Sequence, residues 1–340
     1  MLLIITSVSG CRLTYIFHAA AGQYRLITKA VNVQDALESD SLDPSRKELL
    51  RTVSLIKEFG EKELGLKKTD NYGTIYLESH TPPIYTVSAC PKDKLKRILW
   101  WFPVVGEMPY LGFFKLKDAR EEGKRLEKRG LDVSIGIAGA YSTLGWFEDP
   151  VTLNLLDKSI VGLAETILHE MTHTTQYIKN SGEFNEGLAN IVGKFGALSF
   201  VRKYYGENHQ YFLEAQNNLA DERIFSSFIG DLITRLEMTY AAPVSYSEKL
   251  EKREHLFSSS LDEFALLRER FTTDNYVRFG RSGLNNAYVL AIGLYVRHFN
   301  LFESFYQKNF KSIPEMLAFF QSRAKVGENL LDLIKNPSEK

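Results

Sequence analysis

The pentapeptide His169-Glu170-Met171-Thr172-His173, followed after a short break by Asn185-Glu186-Gly187-Leu188-Ala189, constrains the fold of this chain more than any other feature. Two histidines four residues apart lie on one face of a helix, a turn from each other, so both imidazoles reach one ion without backbone strain. Glu170 is rotated off that axis and is placed to take a proton from an attacking water rather than to ligate. Leu163, Ala164, Ile167 and Leu168 supply an apolar face, and the spacing predicts a helix from about Ser159 to Ile178. Asn180, Ser181 and Gly182 then break the pattern, so an antiparallel helix beginning near Phe184 turns Glu186 back towards the histidines. The resulting donor set is a pair of imidazoles and a carboxylate with an open fourth position. That is the pattern of a catalytic zinc site; structural zinc sites fill all four positions, usually with thiolates, and no cysteine lies nearby. One zinc ion per chain is expected. Asn185 and Asn190 are the candidate outer partners: Asn190, four residues after Glu186 on the same face, can accept the outer N–H of a ligating histidine, or stand as a solvated helix asparagine.

Composition fits a folded enzyme. Hydrophobic residues make up 44% of 340 residues, enough for a sizeable core, and a single catalytic unit is expected over 12–340, with an α/β part over 12–158 and a helical part over 159–340. Lys plus Arg and Asp plus Glu are equal at 42 each, so no global field attracts nucleic acid. Runs such as Lys92-Asp93-Lys94-Leu95-Lys96-Arg97 mix charge with apolar residues and read as solvated faces.

The amino terminus bears on location. Leu2 to Val8 is a short apolar run, and Val8-Ser9-Gly10-Cys11 carries the small residues before a cysteine that resemble a lipoprotein processing site, so 1–11 is read as a leader and Cys11 as the lipidated residue. The run is too short to span a bilayer. The missing positive region before Cys11 points to a start upstream of Met1. A buried N-terminal strand is the competing reading. Cys90, the other cysteine, follows an alternating stretch and reads as a small buried residue.

Hydrophobic periodicity predicts helices at about 12–32, 44–63 and 115–129, and strands near 73–78, 83–89, 100–105, 110–114 and 132–138. Beyond the metal helix, helices are predicted at 185–205, 208–240, 247–271, 282–298 and 312–323. The expected fold class is α+β, predominantly helical, with a small mixed sheet before a helical part. The segment Tyr141, Ser142, Thr143, Leu144 and Gly145 lies between the last strand and the metal helix, and is the candidate for pairing with a peptide substrate through backbone hydrogen bonds. An aromatic core segment around Trp146 and Phe147 is the other reading. Tyr288, with Tyr276 as its alternative, is the candidate phenol for stabilising an oxyanion, set against the commoner role of packing.

The His-Glu-x-x-His and Asn-Glu-x-x-Ala arrangement resembles the gluzincin metallopeptidases. The likeness extends to Trp100-Trp101-Phe102-Pro103-Val104-Val105-Gly106, Pro109-Tyr110-Leu111-Gly112-Phe113-Phe114 and Tyr141-Ser142-Thr143-Leu144-Gly145-Trp146-Phe147-Glu148-Asp149-Pro150, which resemble the predicted zinc aminopeptidase family of bacterial lipoproteins over most of the chain. The resemblance implies zinc on His169, His173 and Glu186, Glu170 as the base, aminopeptidase activity on peptides, and a lipid-anchored place in the cell envelope facing the periplasm or exterior. The interval from His173 to Glu186 is shorter than in the better-known gluzincins and demands a tight turn. An endopeptidase with the same site and a non-catalytic envelope lipoprotein are the rival readings. An aminopeptidase also needs a carboxylate for the substrate's ammonium, for which Glu148, Asp149 and Glu183 are the candidates.

Overall fold

The computed structural model describes residue 26 and residues 28–78, 84–102, 106–137 and 148–336. The predicted leader, Cys11, most of the first predicted helix and the segment Tyr141 to Gly145 lie outside the described residues.

The first part of the chain carries β1 (Val31–Asn32), α1 (Val33–Glu38), α2 (Pro44–Glu63), β2 (Thr74–Tyr76), β3 (Tyr85–Pro91), β4 (Trp100–Phe102), β5 (Gly106–Met108), β6 (Leu111–Phe113), α3 (Leu116–Glu127), β7 (Leu131–Ile137), β8 (Val151–Thr152) and the short α4 (Leu153–Leu156). The strands form three small sheets. β2 lies between β1 and β8, antiparallel to the first and parallel to the second. β3 is central between β6 and β7, antiparallel to both, and its register with β7 runs from Tyr85 opposite Ile137 to Pro91 opposite Leu131. β4 and β5 make a separate hairpin, with Trp100 opposite Met108. The sequence predicted a single small sheet; the described strands instead fall into three separate ones.

Helices dominate the rest: α5 (Ile160–Thr175), α6 (Gly182–Tyr205), α7 (Gln210–Ala241), α8 (Tyr246–Leu267), α9 (Asn286–Val296), α10 (Phe299–Asn309), α11 (Ile313–Lys325) and α12 (Leu330–Lys335). The chain is therefore α+β and predominantly helical. The predicted helix at 282–298 is only α9: Asn285 caps it, its side chain accepting from Tyr288 N at 2.9 Å, and the chain turns at Arg297 and His298 before α10. Arg297 and His298 interrupt the apolar run at that turn, and the helix Phe299–Asn309 beyond it was not predicted. Among the described residues, no helix is long and apolar enough to cross a membrane.

The largest apolar core places α2, α5, α6, α10 and α11 around one another. Ile56 and Phe59 of α2, Leu163, Ile167 and Leu168 of α5, Leu188, Ile191 and Phe200 of α6, Phe302 of α10 and Phe320 of α11 are all buried in it. α5 and α6 are thus held from behind by apolar packing. A second cluster joins α7, α8 and α9 through Phe225, Ile229, Ile233, Phe257, Phe264 and Val289. A third lies between β3, β6 and α3.

A buried polar hub ties the β3–β7 sheet to the second cluster. Arg253 of α8 donates to Asp132 of β7 (Nη1 to Oδ2, 2.7 Å; Nη2 to Oδ1, 3.3 Å), and Nη1 also donates to Lys92 O at 2.8 Å. Asp132 further accepts from Asn286 N at 3.0 Å, and Asn286 accepts from the Tyr240 hydroxyl at 2.7 Å. Every partner comes from a different element, so the hub fixes where α9 begins.

Candidate metal centre

α5 begins where the sequence predicts it: Ser159 is the N-cap, its hydroxyl accepting from Gly162 N at 3.1 Å. Its C-terminus leads into a tight turn closed by Asn185, whose side chain accepts from Ile178 N at 2.9 Å and donates to Ile178 O at 2.8 Å. Asn180 adopts the left-handed conformation, φ 63°, which asparagine tolerates better than most residues. This is the tight turn that the short interval demands. Asn185 thus acts on the turn, and through the turn on the angle at which α6 returns. The β4–β5 hairpin docks on the same turn: Glu107 N donates to Asn180 Oδ1 at 3.2 Å, and a Cβ at Gly106 would lie 2.7 Å from that oxygen.

The hairpin brings His169, His173 and Glu186 together. The Nε2 atoms of the histidines are 3.1 Å apart, and Glu186 Oε2 lies 3.2 Å from the first and 3.5 Å from the second. Donors at zinc–ligand distances of 2.0–2.1 Å on a tetrahedral ion stand about 3.3–3.4 Å apart, so the three atoms already have the spacing such an ion requires. Their chemistry fits as well. Although close to both imidazoles, Glu186 Oε2 is buried with no aligned hydrogen-bond partner, which is the state of a carboxylate oxygen free to take a cation. Among the described residues this is the one group of three His, Cys, Asp or Glu side chains that can hold a metal ion.

Burial raises the carboxyl of Glu186, but the adjacent His173 and His169 imidazoles overcome it and hold the group well below the usual carboxylate range. Burial lowers the imidazole of His173, but the Glu186 carboxylate, with help from Glu170, leaves it raised. Glu170 follows His169 on α5 and is half-buried, off the ligand axis. His173 Nδ1 is buried without a partner, as are both side-chain polar atoms of Gln176, three residues further on.

The remaining predicted residues fall differently. Asn190 Nδ2 donates to Tyr295 O at 2.5 Å, tying α9 to α6, rather than its oxygen meeting a histidine. Tyr288, expected to face the reacting carbonyl, points into the second core cluster: its hydroxyl accepts from Gly280 N at 3.1 Å and its ring packs on Phe279. Tyr276 stacks on Phe225 and donates to Glu222. The phenols beside the donor set are Tyr295 of α9 and Tyr110, between β5 and β6. They are hydrogen-bonded to each other, and each is raised first by burial and then by neighbours that include the Glu186 and Glu170 carboxylates. Tyr295 is nevertheless 37% exposed, so it is not a core residue. Burial, then Glu170 and Asp149, likewise push the Tyr72 phenol well above its ordinary value. No spacing signal marks these tyrosines; Tyr110 comes from the loop between β5 and β6 and Tyr295 from α9.

Of the acids considered for an ammonium, Glu183 is occupied. It accepts from Arg97 Nη1 at 2.8 Å and lies 3.3 Å from His298 Nε2, and those partners, His298 first, hold its carboxyl low against burial. Asp149 is buried, its N donating to Asn71 Oδ1 at 3.2 Å and its O accepting from Tyr72 N at 2.8 Å. Glu148 is exposed.

No curated protein and no solved structure matches the chain. A family model does, over residues 14–329, which include the whole helical hairpin and both Tyr110 and Tyr295. Its description is "Putative aminopeptidase", and this chain belongs to that family.

Proposed function

We propose that the protein is a zinc-dependent aminopeptidase of gluzincin type. The observation that carries this reading is the convergence of His169 Nε2, His173 Nε2 and Glu186 Oε2 at 3.1–3.5 Å, with no aligned hydrogen bond to the buried carboxylate oxygen. Those residues would hold the zinc, and when bound it would supply Lewis-acid activation of water and of the scissile carbonyl. Glu170 takes the proton of the attacking water on its carboxylate and returns it to the leaving amine nitrogen. Tyr110 and Tyr295, kept protonated by burial and nearby carboxylates, offer O–H donors to the oxyanion that develops on the carbonyl. The segment Tyr141 to Gly145, which continues from the strand β7, is the candidate backbone partner of the peptide.

The exopeptidase reading is tested by a peptide with a free amino terminus against the same peptide acetylated there. Release of single N-terminal residues from the free peptide alone is the expected result. Internal cleavage of both at similar rates favours an endopeptidase with the same residues, and no zinc-dependent cleavage of any peptide favours a non-catalytic role.

Location follows from Val8-Ser9-Gly10-Cys11. The native protein is expected to fractionate with membranes through acyl chains on Cys11, and Cys11→Ser to lose that attachment without a change of fold. Mass spectrometry that finds an intact, unmodified Met1 terminus on protein from its native host would remove the lipoprotein reading.

A further inference from the structure

The seam between α5 and α6 carries a second polar cluster beyond the metal ligands. On α5 the four-residue ladder is Glu165, His169 and His173; on α6 it is Glu186, Asn190 and Lys194. Because the helices are antiparallel, Glu186 meets the histidines at one end and Lys194 meets Glu165 at the other. Lys194 Nζ is 3.5 Å from Glu165 Oε2 and 3.1 Å from Oε2 of Glu222, which comes from α7. Asn218 Nδ2 donates to Glu165 Oε1 at 3.1 Å, and Tyr276 donates to Glu222. The cluster is sheltered: the Lys194 side chain is 13% exposed and that of Glu222 is 4% exposed. Gly193 lets the helices close here, since a Cβ on it would lie 2.7 Å from Glu165 O and 3.3 Å from His169 Cβ.

A buried ammonium between two carboxylates is a poor source of stability, because apolar residues of similar volume serve as well or better. What an apolar seam lacks is register. α6 buries Phe184, Leu188, Ile191, Val192, Phe200 and Val201, and such a surface tolerates sliding along its neighbour. A slip of one turn, about 5.4 Å, would strand Lys194 away from both carboxylates and would carry Glu186 away from His169 and His173.

We propose that Lys194, clamped by Glu165 and Glu222, is a positioning residue that sets the register of α6 on α5 and so assembles the metal-ligand triad. This rests on reading His169, His173 and Glu186 as that triad. Burial alone would lower the Lys194 ammonium's pKa, but its two carboxylate partners raise it, so the charge that the clamp needs is retained.

The test uses the full chain with an apolar replacement, Glu165→Leu, Lys194→Met and Glu222→Leu together, which leaves no buried charge unpaired, and the single variant Glu165→Gln as a milder change. Spin labels on cysteines introduced at Asp157 and Arg202, both exposed, report the α5–α6 distance in metal-free protein. Cys11→Ser removes one native thiol, and Cys90 is buried with its thiol pushed up to about 12 by burial, so it resists labelling. Zinc affinity is read in parallel by competition with a chromogenic chelator. The expected result is a distance distribution that broadens or shifts by about one helical turn, about 5.4 Å, together with zinc affinity weakened about 10–100-fold. Glu165→Gln should move both readouts in the same direction by less. Wild-type distances in both variants overturn the clamp, whatever their zinc affinity. A shifted distance in protein whose wild type binds no zinc upholds the clamp and removes the metal reading instead.

Discussion

Glu170→Gln is expected to lower peptide hydrolysis by about 10²–10⁴-fold, the usual contribution of a positioned general base. The glutamine keeps the size and hydrogen bonding of the side chain but cannot take the proton of the attacking water. Glu170 stands on α5 off the ligand axis, so the helical hairpin and its donor set should be unaffected. Steady-state rates at saturating and limiting peptide separate the effects: kcat and kcat/KM should fall together, as they do when an interaction made only in the transition state is lost. Tyr110→Phe and Tyr295→Phe should also lower kcat, and Tyr288→Phe should leave it nearly unchanged because that hydroxyl accepts from Gly280 N inside the second core cluster. A Glu170→Gln protein with wild-type kcat would exclude the residue as the base.

Breaking the Asp132–Arg253 pair should cost more stability than any surface change. Both side chains are buried, at 6% and 7% exposure, and Asp132→Ala leaves the guanidinium with the Lys92 carbonyl, the Tyr240 hydroxyl and the exposed Glu254, and no buried carboxylate. Removal of one partner from a buried pair typically costs about 3–5 kcal/mol. Denaturant unfolding of Asp132→Ala, Arg253→Met and the double variant checks this. The double variant should be less destabilised than the sum of the singles, because the second change removes the charge that the first left unpaired. Strict additivity would mean that the pair does not act as a unit. Asp132 also accepts from Asn286 N, so Asp132→Ala should in addition loosen the start of α9 and with it the placement of Tyr295.

The parts of this molecule that were legible in the sequence are those governed by local rules. Helix α2 runs from Pro44 to Glu63 as its periodicity predicts, and α5 starts after Ser159 where its apolar spacing predicts. The nearness of His169, His173 and Glu186 was legible because helical spacing on α5 and a tight turn bring α6 back beside the two histidines. The rest depends on contacts distant in sequence. Tyr110 and Tyr295 are distant in sequence, and the docking of the β4–β5 hairpin on Asn180 and of α9 on Asn190 brings them together. Tyr288, the candidate chosen from sequence, lies on the same helix α9 seven positions earlier, close to two turns, where its ring packs in the second core cluster. The role of Glu183 was hidden for the same reason, since Arg97 and His298 come from other parts of the chain. Nothing in the sequence marks Lys194, because one of its two carboxylate partners, Glu222, comes from α7.

If His169, His173 and Glu186 hold one zinc ion, the metal content of the protein depends on them. Elemental analysis of purified wild-type protein, Glu186→Ala and Glu170→Gln, each loaded with zinc and then dialysed against the same buffer, tests it most directly. The expected content is one zinc per chain in the wild type and in Glu170→Gln, with most of it gone from Glu186→Ala, where one of the protein ligands is missing. A wild type without zinc, or a Glu170→Gln protein that loses it as completely as Glu186→Ala, would contradict the assignment.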